Sequence, residues 1–138
     1  MNTFRWLLIF LLIFIFISPA SQADETIPRA SGVRLGVGFS WEGITECSDS
    51  SPEIKVTNSP RETWYFRVML DDLDDPSAYH GGGKVEKDYS GIIPAGALKK
   101  DYKGPCPYGE THRYQFTVYA LDSASRTIGK GKATRLFP

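Results

Sequence analysis

Two histidines, a tyrosine and a run of carboxylates are the residues of this chain best suited to chemistry. His80 and His112 are the only histidines, and each sits in a glycine-bearing loop at the end of a strand-like segment. Tyr114 follows His112 at the two-residue spacing that puts alternate side chains on one face of a strand. Asp71 to Asp75 places four carboxylates in five residues, and such a loop must face water or meet something positive. Imidazole and phenol groups donate hydrogen bonds, and glycine-rich loops expose backbone N–H groups as an anion nest. Together they predict a pocket for a small oxyanion such as phosphate, with Asp72 or Asp74 turned inward to orient an imidazole. The equal alternative is a core Tyr114 with its hydroxyl satisfied by backbone, and His112 as a turn residue.

Other chemistries lack their signatures. The acidic loop does not have the spacing of a calcium loop. No HExxH or Cys/His cluster offers a zinc site, and no GxSxG elbow supplies a nucleophile. The reading is therefore of a binding protein, with no catalytic residue, no metal and no cofactor.

The elements that must position these groups read as strands. Tyr114, Phe116, Val118 and Ala120 alternate with Arg113, Gln115, Thr117 and Tyr119, a half-buried strand entered through the turn Gly104-Pro-Cys-Pro-Tyr-Gly109. Val33–Trp41 alternates in the same way, its glycines suggesting a bulge or a close backbone approach. Glu53–Thr57 is a short strand. Thr63–Leu70 is apolar on both sides and reads as a central strand covered on both faces. Lys84–Asp88 has the lysines of an edge strand. Pro94 and Gly96 limit Ser90–Lys100 to a turn or so of helix, and Ile128–Phe137 reads as a last strand bent at Gly129 and Gly131. Short strands without long helical patterns between them predict an all-β, antiparallel, Greek-key-like sandwich with short helical turns.

The chain of 138 residues, 41% hydrophobic and 23% charged, suits one domain. Its start is different in kind. Arg5 precedes the apolar run Trp6–Ile17, and Ser21 and Ala23 are small residues of the sort a signal peptidase accepts, so residues 1–23 read as a cleaved signal peptide and residues 24–138 as the domain. An uncleaved anchor is the competing reading, but the run is well short of the roughly 20 apolar residues that span a bilayer. The remaining chain holds 15 Lys plus Arg against 16 Asp plus Glu. No overall charge draws it to nucleic acid or an anionic membrane. A periplasmic or secreted location follows, and in such a compartment Cys47 and Cys106, the only cysteines, are expected to pair. Two buried free thiols are the alternative.

The segment GPCPYGETHRY, continued by FTVYALD, resembles the GPCPP and HRY block of the phosphatidylethanolamine-binding proteins, in their bacterial, Raf kinase inhibitor-like branch. Asp72-Leu-Asp74-Asp-Pro76 is similar to that family's DPDxP motif, with Leu73 in place of a proline. The resemblance implies a β-sandwich with one anion pocket, formed here by Asp72, His80, Pro107, His112 and Tyr114. It also implies two kinds of partner: a phosphorylated or phospholipid headgroup, or a protein such as a protease held by the pocket loops.

Overall fold

The computed structural model of the chain describes residues 32–99 and 101–137. The expected signal peptide lies outside the described residues. Eight strands are formed: β1 (Val33–Arg34), β2 (Gly36–Phe39), β3 (Ile54–Thr57), β4 (Tyr65–Asp72), β5 (Gly82–Glu86), β6 (Ile92–Ile93), β7 (His112–Leu121) and β8 (Thr127–Phe137). They make a five-stranded sheet in the order β1-β8-β7-β4-β5 and a three-stranded sheet in the order β2-β3-β6. The fold is thus an all-β sandwich, as expected.

The two-residue period decides which side chains fill the space between the sheets. Phe66, Val68 and Leu70 of β4 and Tyr114, Phe116, Val118 and Ala120 of β7 are buried. Phe39, Ile54, Val56 and Ile93 meet them from the smaller sheet. Trp41 is a core residue, with its ring 4.9 Å from Phe39, 5.7 Å from Phe116 and 5.5 Å from Phe137. Edge-on packing of this kind suits the positive rim of one ring against the negative face of the next.

Four expectations change. The segment 33–41 is two strands, because the chain leaves one sheet for the other at Leu35, and β1 pairs parallel with β8 while β2 pairs antiparallel with β3. Strand β8 is not broken at Gly129 and Gly131, and its pairing with β7 is irregular at Ala120/Leu121, beside Gly129. The two glycines make room for that crossing: a Cβ at Gly131 would lie 2.5 Å from the Leu35 carbonyl oxygen. Strand β4 is covered on one face only, for Arg67 and Met69 are exposed, as is Trp64 just before the strand. Residues 90–99 form no helix. Ile92–Ile93 pairs with β3, and one turn, closed by Ala97 N–H donating to the Pro94 carbonyl at 3.1 Å, follows it.

The Cys47–Cys106 disulfide forms, with a Cα–Cα distance of 4.4 Å. It ties the loop between β2 and β3 to the turn that enters β7. Backbone hydrogen bonds run beside it, from Cys47 N–H to the Pro105 carbonyl at 2.7 Å and from Gly104 N–H to the Ser48 carbonyl at 2.8 Å.

Candidate functional site: a histidine pocket at the end of β4 and β7

Strands β4 and β7 pair antiparallel, with Asp72 opposite Tyr114 at the end of the ladder. That register places Asp72, His112 and Tyr114 at one edge of the sandwich. Asp72 is buried, at 3% exposure. Its Oδ1 accepts the N–H groups of Asp74 (2.8 Å) and Asp75 (3.0 Å), which folds the acidic loop over it. Its Oδ2 accepts from His112 Nδ1 at 2.7 Å. Burial pushes the Asp72 carboxyl up, but His112, the two N–H groups and Tyr114 outweigh it and hold it below the usual carboxylate range. His112 moves the other way: the hydrogen bond to Asp72 raises its pKa, against some desolvation and with help from Glu110.

His80 is also buried and packs on Tyr114. The Tyr114 ring lies 5.3 Å from the His80 ring, edge to face, and 6.3 Å from the His112 ring, nearly parallel to it. His80 Nδ1 stands 3.0 Å from the Lys103 carbonyl and 3.1 Å from the Gly104 carbonyl. Carbonyls only accept, so this nitrogen carries the proton. His80 Nε2 is buried with no hydrogen-bond partner among the described residues.

The two imidazoles therefore converge, and both are tethered by Nδ1–H. They line one cavity of about 550 Å³, together with Asp72, Lys103, Pro107 and Glu110 and the tyrosines Tyr79 and Tyr108. The tyrosines are 72% and 89% exposed. Pro107 stands in the wall, as the resemblance implied.

Three expected details are corrected. Asp72 orients the histidine, whereas Asp74 faces away. It accepts Arg113 N–H at 2.6 Å and the Arg113 guanidinium Nη2 at 2.6 Å, and Arg113 holds its carboxyl at about 2. Tyr114 does not line the cavity. Its ring is fully buried behind the histidines, its hydroxyl has no partner of hydrogen-bonding geometry among the described residues, and burial followed by the Asp72 charge raises its pKa. Finally, Asp72 does not hold His112 in the tautomer that donates into the cavity. It takes the Nδ1 proton, which leaves Nε2 an acceptor in the neutral ring and a donor only in the imidazolium.

Sequence reasoning missed Glu110, Lys103 and the rim residue Tyr79. Glu110 Oε2 lies 3.4 Å from His112 Nε2, and its place two residues before the histidine was the available signal. The Lys103 and Gly104 carbonyls carry no side-chain signature at all. Among the described residues, no group of three His, Cys, Asp or Glu side chains is placed to hold a metal ion.

Fold and site together define a small β-sandwich with a polar cavity at its strand ends lined by both histidines. A sequence profile of the phosphatidylethanolamine-binding protein family matches residues 17–136, and the chain belongs to that family. Two crystal structures are similar to it. One is E. coli YbcL, described as a new member of the mammalian family: 20% identity, TM-score 0.47, covering 64% of this chain and 80% of that one. The other is CT736 of Chlamydia trachomatis, described as a homolog of the same family: 19% identity, TM-score 0.49, covering 78% of this chain and 97% of that one. No curated protein sequence matches the chain.

Proposed function

We propose that the protein is an exported, non-catalytic binding module whose cavity takes a phosphorylated headgroup. The observation that carries this reading is the convergence on one cavity of two imidazoles tethered through Nδ1, with His80 Nε2 unpartnered among the described residues and His112 Nε2 met only by the exposed Glu110 at 3.4 Å. Protonated, His112 donates a charge-assisted hydrogen bond to a phosphoryl oxygen. Lys103 adds a cation to the same wall. The cavity also carries Glu110 and Asp75 beside the exposed rings of Tyr79 and Tyr108, and carboxylates next to aromatic faces suit an ammonium group. A zwitterion such as phosphoethanolamine satisfies both sets of groups, where inorganic phosphate would leave Glu110 facing the anion.

Calorimetry with phosphate and phosphoethanolamine tests this. Phosphoethanolamine is expected to bind more tightly than phosphate, its affinity is expected to rise as pH falls through the raised His112 range, and His112→Ala is expected to weaken it about ten-fold or more. Equal affinity in wild type and His112→Ala overturns the reading. The exposed tyrosines also favour a second reading, in which the same rim holds a protein. Loss of a pulled-down partner on Tyr108→Ser, with headgroup affinity unchanged, would support that one.

A further inference from the structure

The outer face of the five-stranded sheet breaks a rule of strand pairing. One row crosses all five strands: Arg34 of β1 is opposite Lys130 of β8, Lys130 is opposite Tyr119 of β7, Tyr119 is opposite Arg67 of β4, and Arg67 is opposite Lys84 of β5. Four of the five side chains are cations, and two of the four pairings set like charge against like charge, which costs stability. None of the four cations has an ion-pair partner among the described residues, and all four are exposed. What the row has instead is aromatic support. The Arg67 guanidinium lies 4.7 Å and the Lys130 ammonium 5.1 Å from the centre of the same Tyr119 ring, and the Lys84 ammonium lies 3.9 Å from that of Tyr65. A chain whose charges balance overall has gathered four cations without carboxylate partners into one line and propped three of them on tyrosine faces. Within the fold this local cost is offset only by those aromatic contacts and by Lys84 Nζ donating to Ser125 Oγ at 3.1 Å, with no carboxylate among the described residues paired with any of the four cations, an arrangement that suits a site serving a partner.

We propose that this row binds a linear acidic polysaccharide, a chain of carboxylate- or sulfate-bearing sugars lying across the strands. Charge complementarity selects a polyanion, and geometry selects among polyanions. At the usual strand spacing the row is about 19 Å long. At roughly 20–25° of twist per strand its side chains fan through about a right angle from β1 to β5. A planar anionic bilayer touches only part of such a fan, whereas a flexible polymer follows it. Single-stranded nucleic acid is bound by stacking its bases on open aromatic faces, but two cations already lie over the Tyr119 ring. A sugar polymer needs charge at intervals and no stacked base. Lys132, on the neighbouring row opposite Thr117, widens the track.

Binding of the full-length protein to immobilised polygalacturonate and heparin at graded salt tests the proposal, with oligothymidylate and phosphatidylglycerol vesicles as the competing polyanions. The expected result is glycan binding that weakens steeply with salt, as counterion release requires. Arg67→Glu and Lys130→Glu should each reduce it about ten-fold or more. Lys55→Glu, the same charge change on exposed β3 of the other sheet, should leave it within about two-fold. Thermal midpoints should change little in the Arg67 and Lys130 variants, since relief of a like-charge contact offsets the lost contact with the Tyr119 ring. Should either fail to fold, Arg34→Gln and Lys84→Gln on the edge strands carry the same comparison. The proposal is overturned if the wild type does not bind either glycan at low salt, if Lys55→Glu loses as much as the row variants, or if oligothymidylate or the vesicles bind more tightly than the glycans.

Discussion

The Nδ1 atoms of His80 and His112 are committed to two carbonyls and to Asp72, so under the proposed function any ligand meets the rings on their Nε2 sides. The same commitment makes the Asp72–His112 pair a pH-dependent part of the fold. Asp72 is held below its ordinary 3.8, so its contribution is complete above that value and is lost as pH falls through the lower folded value. His112 is raised above 6.5, so its contribution is complete below 6.5 and is lost as pH rises through the higher folded value. The pair therefore stabilises most between pH 3.8 and 6.5. Asp88 and Asp122 are also held low and shape the acid limb independently, so the upper limb is the diagnostic one. The difference in thermal midpoint between wild type and His112→Gln should shrink as pH is taken from 6 to 9, and a difference that is flat over that range would sink the assignment. At this scale the histidines and Asp72 were legible because they are rare or clustered types near strand ends. The tautomers were not, because the carbonyls that fix His80 come from a segment 23 and 24 residues away in the chain.

At the scale of elements, alternation located β4, β7 and β8 well, since each buries one face and the period of two leaves its mark on the side chains. It could not show that 33–41 divides between sheets. Both halves continue the same alternation, and the break at Leu35 is dictated by what lies beneath it. Glycine is required there for space: a Cβ on Gly131 would sit 2.5 Å from the Leu35 carbonyl oxygen and 2.8 Å from Leu35 Cβ and Val37 Cγ2, all parts of the crossing chain. Gly38 of β2 has no atom within 4 Å of a built Cβ. The two glycines should thus respond oppositely to alanine. Gly131→Ala forces the crossing chain outward and is expected to cost about 1–3 kcal/mol, while Gly38→Ala removes unfolded-state freedom and is expected to stabilise by about 0.5 kcal/mol. Urea denaturation of both variants gives the comparison. If Gly131→Ala proves as stable as wild type, the crossing does not depend on that close approach.

Over the whole molecule, sandwich and disulfide were legible from short strands and a single cysteine pair, whereas the basic row was not. Its four cations come from four strands scattered from Arg34 to Lys130, and only the register brings them together. The disulfide acts at this largest scale. It closes a loop of 59 residues, which in the chain-entropy model is worth about 4 kcal/mol, a large share of the 5–15 kcal/mol typical of a domain. It also joins the loop after β2, in the smaller sheet, to the turn before β7, in the larger, and Cys106 and Pro107 stand in the cavity wall. Glu46 reaches across the same junction, accepting Gly109 N–H at 3.0 Å. Cys47→Ala/Cys106→Ala should therefore lower the thermal midpoint by about 10 °C or more. It should also weaken phosphoethanolamine binding, because the turn carrying Pro107 and leading to His112 loses its covalent tether while the backbone bonds from Cys47 and Gly104 hold it only loosely. A variant that melts within a degree or two of wild type would show that those bonds alone fix the junction. A variant that melts lower but keeps full headgroup affinity would show that the bridge serves the sandwich and not the cavity.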